Sequence, residues 1–99
     1  MGLAALGGCL VDREPPSAAV VNETDVLVHV RILGPAGDEI QTLTFAAGAD
    51  ELVPVAECTG GSIVVEAEDG VELGRIDEPW CTRTELVITP AGTVTYGER

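Results

Sequence analysis

Short runs in which apolar and polar residues alternate follow one another along most of the chain, from Ala18 onward. Gly and Pro interrupt these runs at intervals of roughly ten residues, a spacing typical of β-sandwiches and β-barrels. The apolar positions are mostly Val, Ile and Leu, and the β-branched ones favour strands over helices. With shorter runs at 18–22 and 51–56, the pattern predicts about eight strands. The expected fold class is all-β, an antiparallel immunoglobulin-like or fibronectin-like β-sandwich of about 7 to 8 strands, with a small β-barrel as the alternative.

Three of the interruptions place glycine third, in Pro-Ala-Gly at 35–37, Glu-Asp-Gly at 68–70 and Pro-Ala-Gly at 90–92. A three-residue hairpin loop is a type I turn followed by a left-handed residue, so it favours glycine at its third position. The loop length also fixes which residues face each other across the hairpin. The predicted pairs are Ile32 with Ile40, Val30 with Thr42, Val28 with Thr44, Ala67 with Val71, Val65 with Leu73, Ile88 with Val94, and Leu86 with Tyr96.

Charge narrows the range of partners. The chain has 17 acidic residues against five arginines and no lysine, a formal net charge of −12. Nucleic acid is excluded as a partner because its binding needs cations that replace the counterions of the phosphates. The acidic residues indicate a well-solvated, self-repelling surface. No run of 18 apolar residues occurs, so no membrane-spanning helix is predicted.

Two cysteines flank the second hairpin almost symmetrically. Cys58 lies eleven residues before Asp69, and Cys81 lies eleven residues after Gly70. In the predicted register the cysteines are one residue out of opposition, and a single β-bulge would restore the match. Facing strand residues have Cα separations that a disulfide can bridge. The sequence therefore predicts a disulfide between Cys58 and Cys81, and the alternative is two buried free thiols in a cytosolic protein.

The third cysteine, Cys9, follows Leu6-Gly7-Gly8, and residues 12–19 (DREPPSAA) have the composition of an extended linker. The Leu-Gly-Gly-Cys motif resembles the lipobox of prokaryotic lipoproteins. The resemblance implies that Cys9 carries a diacylglycerol thioether and becomes the mature N-terminus. The expected organisation is a lipoprotein signal remnant with its lipobox at 1–9, a linker at 10–19 and the β-sandwich domain at 20–99. The alternatives are an unprocessed N-terminal tail and a cytosolic protein.

Stretches within the domain, VNETDVLVHV at 21–30 and the segment between the later cysteines, resemble small envelope lipoproteins of actinobacterial type. Most members of that group have no assigned function. The resemblance implies an extracytoplasmic location, lipid-anchored to the cell membrane.

Few residues of the chain are candidates for catalysis, metal binding or partner binding. His29 is the sole histidine and is predicted beside Arg31 on the outer face of a strand, which makes it an ordinary surface residue. The acidic residues Glu66, Glu68 and Asp69 are candidate calcium ligands, because calcium takes oxygen ligands from such loops. Trp80, next to Cys81, is expected to cover the disulfide in the core. If exposed, it would instead anchor a partner protein or a sugar.

These observations favour a non-catalytic, lipid-anchored extracytoplasmic β-sandwich that serves as a binding or accessory module of the cell envelope. The expected partners are the membrane, through the lipid on Cys9, and an envelope protein or glycan. No cofactor is expected. The alternative is a calcium-dependent adhesion module that uses the acidic loops, and the third possibility is a small hydrolase with a pair of catalytic carboxylates.

Overall fold

A computed structural model describes residues 15–99, so the signal remnant, Cys9 and the first part of the linker lie outside the described residues. The strands are β1 (Ser17–Asn22), β2 (Val28–Leu33), β3 (Glu39–Phe45), β4 (Asp50–Pro54), β5 (Ser62–Ala67), β6 (Glu72–Ile76), β7 (Thr84–Ile88) and β8 (Val94–Glu98). They form two four-stranded sheets, ordered β4-β1-β7-β8 and β3-β2-β5-β6. The sheets remain separate, and the predicted all-β sandwich of about eight strands is confirmed.

Alternate strand positions supply the core between the sheets. On β2, Val28, Val30 and Ile32 are fully buried, whereas His29 and Arg31 between them are partly exposed. This period of two is expected where one face of a sheet packs on the core and the other meets solvent. The core cluster consists of Ala18, Val20, Val28, Val30, Ile32, Phe45, Val55, Ile63, Val65, Trp80, Leu86 and Ile88.

The first strand differs from expectation in two respects. β1 begins at Ser17, and Ala18 is fully buried opposite Val53, so residues 17–19 belong to the sandwich and not to the linker. β1 also pairs in parallel with β7, while it pairs antiparallel with β4. The sandwich is thus antiparallel except at this one pair of its described strands. The small side chains of Ala18 and Ala19 fit a central strand flanked on both sides.

All three predicted hairpin turns are confirmed. Gly37, Gly70 and Gly92 have φ angles of 88°, 91° and 87°, the left-handed conformation that the third loop position requires. In the last hairpin the predicted register also holds, with Ile88 opposite Val94 and Leu86 opposite Tyr96.

The predicted register of the first hairpin is wrong beyond its turn. Leu33 lies opposite Glu39, but Ile32 then lies opposite Gln41, because Ile40 is an extra residue that forms a β-bulge. The shift carries through the strand, so that Val30 faces Leu43 and Val28 faces Phe45. The bulge therefore turns Leu43 and Phe45 towards the core and leaves Thr42 and Thr44 on the outer face. The price of this arrangement is the exposure of Ile40, whose side chain is 47% accessible.

The second hairpin contains a similar bulge. Glu66 faces Glu72, as the turn predicts, but Val65 then faces Gly74, not Leu73. Leu73 is the extra residue in β6. A side chain at position 74 would meet Val94 of the other sheet, since a Cβ built there lies 2.7 Å from Val94 Cγ2. The bulge thus places glycine at a point where β6 packs closely against β8.

A buried asparagine closes the end of the sandwich at which β1 stops. Asn22 is fully buried, and its Nδ2 donates to the carbonyl oxygens of Val26 and Ala46, each at 2.9 Å. Its Oδ1 accepts from the backbone N–H of Thr24 at 3.1 Å and from the Thr24 hydroxyl at 2.7 Å. These bonds fix the loop between β1 and β2 against the turn between β3 and β4. The sequence Asn-Glu-Thr at 22–24 therefore begins the turn between β1 and β2.

Two glycines with similar backbone angles, Gly37 and Gly60, provide a test of packing at the end of the sandwich opposite Asn22. Gly60 has a φ of 78°, and a Cβ added there would lie 2.7 Å from the carbonyl oxygen of Leu33. Gly37 has a φ of 88° with no atom within 4 Å of such a Cβ. We expect Gly37→Ala to lower the free energy of unfolding by about 1 to 2 kcal/mol, the cost of a left-handed L-residue. Gly60→Ala should cost clearly more. Urea unfolding of both variants measures the difference, and equal losses would contradict the close approach.

Candidate functional site

A disulfide joins two of the connections that cross between the sheets. Cys58 lies between β4 and β5, Cys81 lies between β6 and β7, and their Cα atoms are 4.1 Å apart. Beside it, Thr59 and Trp80 form an isolated antiparallel bridge with two backbone hydrogen bonds of 2.8 Å. The bulge at Leu73 supplies the single-residue shift that brings the cysteines into opposition. The predicted disulfide is confirmed.

Trp80 is 1% exposed and is among the largest fully buried side chains. Its ring stacks on that of Tyr96, with centroids 6.1 Å apart. The Tyr96 hydroxyl donates to the Pro79 carbonyl oxygen at 2.8 Å and accepts from the Cys81 N–H at 3.0 Å. Trp80 therefore belongs to the core beside the disulfide and does not form a surface anchor for a partner or a sugar. Apart from the predicted pairing of Tyr96 with Leu86, no pattern in the sequence indicates these hydrogen bonds of Tyr96.

A count of reactive thiols and a measurement of unfolding together test the disulfide between Cys58 and Cys81. Unreduced, unfolded protein should expose at most one reactive thiol per chain, that of Cys9, because the disulfide holds the other two cysteines. The double variant Cys58→Ala/Cys81→Ala should lose about 3 kcal/mol of unfolding free energy, the chain entropy regained by a loop of this length. Cys9→Ala, which removes a cysteine outside the disulfide, should lose nothing in the same urea measurement. Two or more reactive thiols would contradict the disulfide.

The proposed calcium ligands do not converge. Glu66 lies within β5, where its Oε2 accepts a hydrogen bond from Arg31 Nη1 at 3.0 Å. Asp69 lies at the tip of the next turn, and its Oδ1 accepts from the Val71 N–H at 3.1 Å. Among residues 15–99, no group of three or more His, Cys, Asp or Glu side chains is arranged to hold a metal ion. The carboxylates of Glu66, Glu68 and Asp69 are therefore not gathered into one group in this fold, because the first is already paired with Arg31 on the sheet face.

The outer face of the sheet β3-β2-β5-β6 carries the sole histidine and an ionic network. His29 Nδ1 lies 3.0 Å from Thr44 Oγ1. Arg31 donates through Nε to Glu39 Oε1 and through Nη1 to Glu66 Oε2, both at 3.0 Å. The predicted placement of His29 beside Arg31 on the outer face is confirmed. Their neighbours on β3 are Thr44 and Thr42 because of the bulge.

The network shifts the ionisation of two of its members. The Thr42 side chain, followed by the Arg31 guanidinium, lowers the pKa of Glu39 below its ordinary value of 4.5. The hydrogen bonds that Arg31 donates to Glu39 and then to Glu66 raise the pKa of Arg31 above its ordinary value. Pairs as exposed as these contribute little to stability. They orient the side chains on an open sheet face without building an enclosed reaction centre.

The lowered pKa of Glu39 makes stability depend on pH in a defined direction. Because the folded pKa lies below the unfolded value, the contribution is present above pH 4.5 and is lost as the pH falls through the folded pKa. Carboxyl NMR titration should show the low pKa of Glu39 in the wild type and a rise towards 4.5 in Thr42→Val and in Arg31→Gln. Between pH 5 and 3, wild-type unfolding free energy should fall more steeply than that of Glu39→Gln. Parallel curves would contradict the assignment.

An apolar patch that the sequence did not predict lies at the end of the sandwich closed by Asn22. Among residues 15–99, four large apolar side chains are conspicuously exposed, and they include Val26 at 41% and Val71 at 57%. Val26 and Ala67 line a depression of about 310 Å³ together with Glu68 and Asp69. Ala67 donates its N–H to the Val71 carbonyl oxygen across the hairpin. We call Val26, Ala67 and Val71 the valine patch.

The part of the chain from residue 15 to residue 99 contains no helix long and apolar enough to cross a membrane. Comparisons with protein families, curated proteins and solved structures find no match to the chain.

Proposed function

We propose that the chain is a non-catalytic, lipid-anchored extracytoplasmic β-sandwich that acts as a binding or accessory module of the cell envelope. The observation that carries this proposal is the disulfide between Cys58 and Cys81. Disulfides of this structural kind persist in oxidising compartments outside the cytoplasm and are rare within it. An extracytoplasmic location is also the one in which a lipobox is read.

The number of cysteines supports a lipid anchor on Cys9. The chain has three cysteines, and the disulfide uses two of them, which leaves Cys9 for the lipid. Cys9 follows Leu6-Gly7-Gly8, the spacing of a lipobox. Since β1 begins at Ser17, seven residues lie between Cys9 and the first strand, and the eight Cα-to-Cα steps from Cys9 to Ser17 span at most about 28 Å. The tether would hold the sandwich close to the membrane surface.

The surface chemistry supports a binding role over catalysis. His29, the only histidine, is paired with Thr44 on an open sheet face. Arg31 and Arg75 are engaged by carboxylates on strand surfaces. General acid and base groups act best in sites that exclude water and shift their pKa values. Open, solvated faces of this kind serve contact with a partner better than chemistry on a substrate.

Labelling with a radioactive fatty acid tests the proposal. The chain, expressed in a bacterium that processes lipoproteins, should incorporate label and partition with the membrane fraction. Cys9→Ala should lose the label because the thioether has no sulfur, and Leu6→Asp should lose it because the lipobox is no longer recognised. Cys58→Ala/Cys81→Ala is the matched control, which removes two thiols but retains Cys9 and should stay labelled. An unlabelled wild type, or equal label in Cys9→Ala, would overturn the proposal.

A further inference from the structure

The valine patch lies at the end of the sandwich opposite the tether. Ser17, where the chain enters β1, is held at the disulfide end, since its carbonyl oxygen accepts from the Arg83 N–H at 2.8 Å and from the Thr82 hydroxyl at 3.3 Å. β1 then runs six residues to Asn22, about 20 Å at the rise of a strand. On the proposed function, the patch therefore points away from the membrane and towards the surroundings of the cell envelope.

Both valines are held by hydrogen-bonded backbone. The carbonyl oxygen of Val26 accepts from the buried Asn22 side chain at 2.9 Å and from the Thr24 hydroxyl at 3.1 Å. Val71 donates its N–H to Asp69 Oδ1, and its carbonyl oxygen accepts from the Ala67 N–H at 2.8 Å. The two loops thus present exposed apolar side chains on a fixed scaffold. A preorganised apolar surface loses little conformational entropy when a partner binds it.

Carboxylates surround this apolar surface, and the two loops contain no basic residue. Glu23 and Asp25 lie beside Val26 in the first loop, and Glu68 and Asp69 form the wall of the depression. All four residues are exposed. The described arginines lie elsewhere, with Arg31 and Arg75 on strands of the second sheet and Arg83 and Arg99 at the disulfide end. The electrostatic field of these carboxylates attracts cations to this end of the sandwich.

We propose that the valine patch binds a basic segment of a partner protein in which an aliphatic side chain is flanked by lysine or arginine. The aliphatic side chain enters the depression of about 310 Å³ between Val26 and Ala67. The flanking cations pair with Glu68, Asp69 and Asp25. Charge complementarity determines this choice of occupant, because a second copy of the same acidic chain would bring like charges together. The orientation of the patch rests on the proposed function, but the binding chemistry does not.

Three short peptides test the binding in solution. The probe is Lys-Lys-Leu-Lys-Lys, and the comparison peptides are Lys-Lys-Ser-Lys-Lys and Glu-Glu-Leu-Glu-Glu. Each is titrated into nitrogen-15-labelled Cys9→Ala chain, which carries no lipid, and followed by amide chemical shifts. The first peptide should shift the amides of 23–27 and 67–71. The serine peptide should bind about tenfold more weakly, since burial of a leucine side chain is worth roughly a factor of ten or more. The acidic peptide should not bind.

Substitutions at two equally exposed apolar residues distinguish binding at the valine patch from a general effect of removing an apolar side chain from the surface. Val71 and Leu52 are both 57% exposed, but Leu52 lies on β4, outside the patch. Val71→Ser, beside the depression, should weaken the leucine peptide severalfold, and Leu52→Ser should leave its affinity unchanged. Glu68→Gln should weaken binding severalfold at low salt and less at high salt, because exposed charges are screened.

Three results would overturn the proposal. They are equal binding of the leucine and serine peptides, equal loss in Val71→Ser and Leu52→Ser, or shifts confined to residues outside the two loops. Because the titration uses chain without lipid, its outcome is independent of the fatty-acid labelling. Failure of the anchor and failure of the patch are therefore distinguishable.

Discussion

A single extra residue in β6 sets the register on which much of the molecule depends. Leu73 bulges out of the hairpin, and this shift brings Cys81 opposite Cys58 and Trp80 opposite Thr59. Without it, the cysteines would be one residue out of step and Trp80 would turn towards solvent. The same shift places Gly74 against Val94, where a larger residue would force the sheets apart. Disulfide, tryptophan and sheet contact are thus consequences of one local irregularity.

The sequence predicts the strand count, the three turns and the disulfide because each has a local cause. Glycine at the third loop position is required by backbone sterics, and the valine alternation is required by burial. The bulges at Ile40 and Leu73 could not be predicted, because each is favoured by contacts between residues far apart in the chain. In the first hairpin, the core gains Phe45 and Leu43 only through packing on the opposite sheet. The parallel pairing of β1 with β7 likewise has no signal within either segment.

The sequence was less informative about surfaces. Glu66 was grouped with Glu68 and Asp69 because they are close in the chain. In the fold, Glu66 lies on β5 and forms an ion pair with Arg31. The valine patch joins loops more than 40 residues apart, positions 23–27 and 68–71. Its only signals in the sequence were two valines in otherwise polar turns.

On the proposed function, in which the chain is anchored before β1 and bound at the opposite end, the pairing of β1 on both of its sides has a mechanical consequence. A pull between the tether and the far loops acts along the strand direction. The hydrogen bonds of β1 to β4 and β7 lie across that direction, so the load is shared by both ladders at once instead of opening them one bond at a time. A strand clamped on both sides in this way resists extraction in shear. The position of β1 within its sheet therefore suits the proposed function, in which the domain would transmit force between a membrane and a partner.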